Sequence, residues 1–209
     1  QLSRQLVLDT LKPILESSEI GKIGQNLKYD AHILANISID LCGIVDDTMV
    51  KSYCLNSIAT RHNMDDLSEY YLGHKTIHYV DVAGSGKKQL TFNQVNLNEA
   101  TPYACEDVIV TYELNKVLQE RLEKYPKLVA LYQNLELPLV KTMVKLERNG
   151  ALVNVNSLFK QQFQIKSEME KIQAQAFELA GDVFNLDSPK QIQQILFSEE
   201  GLGLEPKKT

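Results

Sequence analysis

Three scarcities narrow what this 209-residue chain can be. No apolar run approaches the roughly 20 residues that a membrane-spanning helix needs. The three cysteines (Cys42, Cys54 and Cys105) are odd in number, widely spaced and form no C-x-x-C, which favours buried thiols in a reducing cytosol. Positive charge is in deficit, and a net charge of −5 argues against a generally basic surface for nucleic acid. A nucleic-acid enzyme stays open, because a metal site must itself be acidic. The start, Gln1-Leu2-Ser3-Arg4, has neither a methionine nor a charged-then-apolar leader, and reads as a cut end. There is no internal repeat, no low-complexity tract, and no Ser/His/Asp or Cys/His nucleophile motif. What remains, 44% hydrophobic and 23% charged residues, is the composition of a globular protein with a packed core.

Two short pairs carry the chemistry. Asn26-x-x-x-Asp30 and Tyr103-x-x-x-Asp107 each place two polar side chains on one face of a helix, if their segments are helical. Carboxylates hold hard divalent cations through oxygen, and a phenol can orient an attacking water, so the pairs suit metal-assisted hydrolysis of a phosphodiester. Asn36-x-x-x-Asp40 has the first spacing too, but Ile37-Ser38-Ile39-Asp40-Leu41 alternates with period 2 and is predicted to be a strand. Tyr103 alone among the nine tyrosines has an aspartate four residues on.

The pattern predicts a helix from Leu2 to Glu16 with Pro13 breaking its latter part, then a short strand at 20–24 feeding a helix over 27–35. Asn26 falls at that helix's start, where its side chain could cap or reach a ligand. Asp46 and Asp47 open a further helix, and Asn63 could cap another that Gly73 ends. Residues 75–96 read as irregular around an exposed loop, Gly84-Ser85-Gly86-Lys87-Lys88. That loop lacks the Gly and Ser/Thr a phosphate-binding loop wants at Asp81 and Lys88. His74 and His78 have zinc-like spacing but no third ligand nearby, and read as surface histidines. A long helix is predicted from about Glu99 to Lys124, with Pro102 near its first turn. Beyond Pro126 the pattern is long helices with short joints, stopped once by Gly150. Ile165, Met169, Ile172, Ala176 and Leu179 repeat as a 4-3-4-3 seam expected to pack against another helix, and Ser188-Pro189 starts the last helix. A boundary is therefore placed at residues 125/126, with mixed α/β before it and all-α after it.

The order of these segments resembles the bacterial DNA polymerase I family. Gly24 to Asp30 is similar to the second motif of its 3′–5′ proofreading exonuclease, and Tyr103 to Asp107 to the third. Between them, Asp47-Thr48-Met49, Arg61 to Asp65 and Gln89 to Gln94 fall in family order. Glu136 to Val140, Leu146 to Gly150 and Phe184 to Ile192 resemble the opening of the polymerase domain and its thumb. The resemblance implies an α-rich α/β fold: part of an RNase H-like exonuclease domain over 1–125, then an all-α thumb segment over 126–209. It implies two Mg²⁺ ions, with Mn²⁺ as a possible substitute, Asp107 a direct ligand and Asp30 supporting the second ion. Tyr103 would orient the water, while Gln25, Asn26 and Arg61 hold a single-stranded 3′ end and Tyr79 stacks on a base. The bland alternatives are that Arg61 only flanks a helix and Tyr79 only packs. The family's early Asp-x-Glu has no counterpart before Asn26, and the chain stops at Glu205 to Thr209, inside the thumb. The expectation is a fragment of a cytoplasmic, monomeric polymerase that acts on DNA, incomplete as a nuclease by itself. The rival readings are a stand-alone exoribonuclease of the same superfamily and a non-catalytic DNA-binding module.

Overall fold

The computed structural model describes residues 2–199 and 201–205. The readings of a cut start at Gln1 and of an end inside the thumb at 206–209 lie outside the described residues. The chain forms two compact units, Gln1–Gly150 and Ala151–Thr209.

The first unit opens with α1 (Arg4–Glu16), which Ser3 caps by accepting from the Leu6 N–H and which runs through Pro13 unbroken. Strand β1 (Lys22–Gly24), helix α2 (Leu27–Ala35) and strand β2 (Ile44–Asp47) form one βαβ crossover, the two strands pairing in parallel. The strand predicted at 37–41 does not form. Ser38 turns left-handed at φ 62° and Ile39 bonds back to the Leu34 carbonyl, so the chain leaves α2 in a turn. The alternation still has its packing meaning, since Ile39 and Leu41 are both buried.

Helix α3 (Thr48–Leu55), the short α4 (Met64–Leu67) and α5 (Tyr79–Ala83) lead to the long α6 (Leu97–Leu122). Asn96 caps α6 by accepting from the Asn98 N–H, so the helix begins earlier than predicted and Pro102 lies inside it. The core of this region is Leu67 against Val110, Leu114 and Leu118, one face of α6 at helical spacing.

After α6 the chain continues through α7 (Pro126–Leu131), a wide turn over Tyr132–Glu136, and α8 (Leu137–Asn149). The compact units divide at Gly150. The physical reason is long-range packing. Tyr132 is buried, its hydroxyl accepting from the Asp47 N–H and donating to Asp46, while Val144 of α8 packs on Leu27, Ala31 and Leu41. Buried Lys51 of α3 completes this wall, bonded to Asp46, Asn115 and Gln119.

The second unit holds α9 (Val155–Ala180) and α10 (Pro189–Phe197), capped by Asn154 and Ser188 as their side chains suggest. The predicted seam is not buried: Ile165, Met169, Ile172 and Leu179 are all exposed. Phe184 makes an edge contact with Phe177, and Phe184 to Asp187 line a cavity together with Met169 and Ile172. The observed class is helix-rich with a small parallel sheet, all helical from α6 onward.

Candidate active site

The start of α2 is built by one buried carboxylate. Asp47 accepts from the Asn26 N–H at 3.2 Å and the Leu27 N–H at 2.7 Å. It also accepts from Met49 and Val50, so it closes the N-termini of α2 and α3 together. Asn26 sits in the left-handed region at φ 60°, which asparagine tolerates, and makes no capping bond of its own. Of the two uses open to its side chain, capping is therefore taken by Asp47.

One turn on, Asp30 lines a cleft of about 500 Å³ together with Gln25, Met64, Asp107 and Thr111. Residues distant in sequence meet here because α6 packs beside β1 and α4. The Asp30 carboxyl lies above its usual pKa, first because the cleft wall strips part of its water and then because Asp47 is negative behind it. Asp107 is also raised, by burial first and the neighbouring Glu106 second, with the Tyr103 phenol pulling the other way. Its Oδ1 is buried and has no hydrogen-bond partner, the one such side-chain atom among the described residues. Tyr103, a turn earlier on α6, is held protonated by burial and by the Asp107 charge.

The remaining predicted residues lie around this cleft and beyond it. Both ends of the Gln25 amide are engaged, its Nε2 donating to the His62 carbonyl at 2.8 Å and its Oε1 accepting from Thr48. The bond to His62 ties its backbone to Gln25, which lines the cleft; Arg61, the neighbour of His62 in the chain, is exposed and is not among the lining residues. His62, buried with φ 59°, is held by Ser52 and the Ser57 carbonyl. Tyr79 lies with Phe92 and Tyr103 in a cluster of three rings. His74 and His78 pair with different carboxylates, Glu106 and Asp65, so they share no ligand site. Glu106 also accepts from the Ile77 N–H at 2.6 Å, tying this segment to α6.

Sequence reasoning missed Asp47 as a double cap, His62 as the strut under Gln25, and Phe92. Asp47 was visible only as a helix opener, and nothing in local spacing reveals that its second oxygen serves a helix some twenty residues earlier. Among the described residues, no group of three or more His, Cys, Asp or Glu is near enough to hold a metal ion. Asp30 and Asp107 are thus two carboxylates that line one cleft.

A sequence model of a 3′–5′ exonuclease family matches residues 1–123, and the chain belongs to that family. Its relatives along the whole chain are bacterial DNA polymerases I. It is 48% identical over 204 residues to the DNA polymerase I of Pseudomonas aeruginosa, covering 97% of this chain and 22% of that protein. The Rhizobium leguminosarum enzyme is 40% identical over 202 residues, covering 97% and 20%. That of Synechocystis is 37% identical over 210 residues, covering 100% and 21%. The chain spans about a fifth of the length of these relatives. Its fold is shared with the POL domain of Pol1 from M. smegmatis, solved in complex with DNA primer-template and dNTP. The TM-score is 0.66 at 23% identity, over 100% of this chain and 33% of that one. No helix among the described residues is long and apolar enough to cross a membrane.

Proposed function

We propose that this chain is the later part of an RNase H-like 3′–5′ exonuclease domain, through about residue 125, joined to the first helices and thumb of a DNA polymerase I. The parent is a cytoplasmic monomer that extends DNA and hydrolyses mispaired 3′ nucleotides. The observation that carries this reading is the meeting of Asp30 and Asp107 in one cleft, with Asp107 Oδ1 buried and unpartnered. An unsatisfied buried oxygen costs about 1–3 kcal/mol, and a bound cation offsets that cost. Asp107 would hold Mg²⁺ directly and Asp30 would support a second ion through water; Mn²⁺ accepts the same oxygen ligands. When bound, the ions supply water activation and neutralise charge on the phosphodiester.

The chain's own groups do the rest. The Tyr103 phenol, kept protonated, orients the attacking water by hydrogen bonding. Asn26, relieved of capping, offers its amide to the 3′ end, and Gln25 fixes the 61–63 segment from which Arg61 reaches a phosphate. Tyr79 supplies a ring for base stacking. The test is Asp107→Ala in the intact polymerase. It should remove most 3′ hydrolysis and spare polymerisation; undiminished hydrolysis would overturn the reading, and equal loss of both activities would indicate unfolding instead.

A further inference from the structure

Resting on the exonuclease reading, we propose that Phe92 is a second stacking ring for the single-stranded 3′ end, paired with Tyr79 and buttressing Tyr103. The three rings form a closed triangle, with centroids 6.4 Å apart for Tyr79 and Phe92, 6.2 Å for Tyr79 and Tyr103, and 5.7 Å for Phe92 and Tyr103. Tyr79 and Phe92 incline to each other by only 37°, whereas Tyr103 meets Tyr79 nearly edge-on at 68°. The two outer rings remain 36% and 41% exposed, an arrangement that leaves apolar faces in water with a phenol held beside them.

The local structure presents Phe92 rigidly. It opens a short turn whose start is closed by Thr91 and Gln94 bonding each other's ends. The preceding loop is pinned where the Leu90 N–H donates to the Ala83 carbonyl at 2.8 Å, and the Tyr79 hydroxyl donates to the Leu90 carbonyl at 3.3 Å. Tyr79 and Phe92 therefore flank one hydrogen-bonded segment, α5 and the loop that follows it. Exposed Lys87 and Lys88 lie on that loop, between the rings in sequence. Aromatic faces combined with cations are what single-stranded nucleic acid uses, because every base has a face to stack and every nucleotide a phosphate. Phe92 also lines an apolar groove along α6 with Leu97, Ala100 and Ala104.

The experiment uses the intact polymerase carrying Asp107→Ala, so that the probe survives. The probe is a single-stranded oligodeoxynucleotide with 2-aminopurine at its last or next-to-last 3′ position, whose fluorescence reports stacking. Phe92→Ala should weaken binding about ten-fold, the scale of one lost stacked base, and change the fluorescence at one of the two positions. Phe92→Tyr should restore both readouts. Phe92→Leu, which keeps apolar bulk without a ring, should behave like alanine; if it behaves like the native protein, Phe92 only packs and the inference is wrong. Unchanged binding in Phe92→Ala overturns it equally. Failure of the exonuclease reading is seen separately, as hydrolysis that survives Asp107→Ala.

Discussion

Helices α6 and α9 are both 26 residues long and both carry apolar residues at helical spacing, yet α6 buries six of its residues and α9 buries none. The difference teaches that the period of a pattern makes a helix, while a partner decides whether its face becomes a core. Helix α6 meets α3, α4 and β1, and those contacts hold Asp107 against the cleft wall. Helix α9 keeps Phe163, Met169 and Leu179 exposed, and the seam read from its sequence is a surface in the described chain. Tyr103 and Asp107 of the proposed site sit on the helix whose face is locked.

The strongest way to break this comparison is to cut the chain in two places. The family match stops at residue 123, whereas the compact unit runs to Gly150. A chain ended at Gly150 should keep a cooperative thermal transition by circular dichroism. One ended at Glu123 should lose it, because Tyr132 no longer caps the Asp47 N–H and Val144 no longer covers α2. If both melt alike, α7 and α8 are passengers and the first unit ends where the family match does.

Point substitutions should separate the two helices by a smaller margin. Leu114 is fully buried, and Leu114→Ala should cost about 2–5 kcal/mol in a denaturant titration. Ile172, 62% exposed, should lose no more than about 0.5 kcal/mol as Ile172→Ala. A comparable loss at both positions would mean that α9 has a packed face after all.

Much of the helical framework was legible from local chemistry. Asn63, Gly73, Gly150 and Ser188-Pro189 mark helix ends because caps act within one turn, and the bounds of α2 come from its apolar spacing. The Asn26, Asp30, Tyr103 and Asp107 pairs could be picked out because a helix puts residues four apart on one face. What could not be read depends on contacts far apart in the chain. Tyr132 reaches Asp47 across 85 residues, so the first compact unit includes residues past Pro126. The strand predicted at 37–41 had the right alternation and no neighbour to pair with, since β1 pairs with β2. Phe92 gave no local sign because its meaning lies in Tyr79 and Tyr103.

The smallest expected effect concerns the joint between α2 and α8, where the family-matched part meets the helices beyond residue 123. Glu147 of α8 bonds Lys28 at 2.5 Å and His32 at 2.7 Å, on the helix that carries Asp30. Arg148 adds a bond to Asn36 at the far end of α2. The Lys28 ammonium, and His32 after it, hold the Glu147 carboxyl below its ordinary 4.5. A carboxylate whose pKa is depressed on folding stabilises the protein fully above its unfolded value, and that contribution is lost as pH falls through the folded one. The native chain should therefore melt slightly above Glu147→Gln at pH 7, and the gap should close as pH drops below about 4. Because Glu147 is solvent-accessible, added salt should narrow the gap at pH 7 as well. A difference that persisted unchanged at pH 3 would show that α8 holds α2 through packing alone, with the ion pair contributing nothing to the support beneath Asp30.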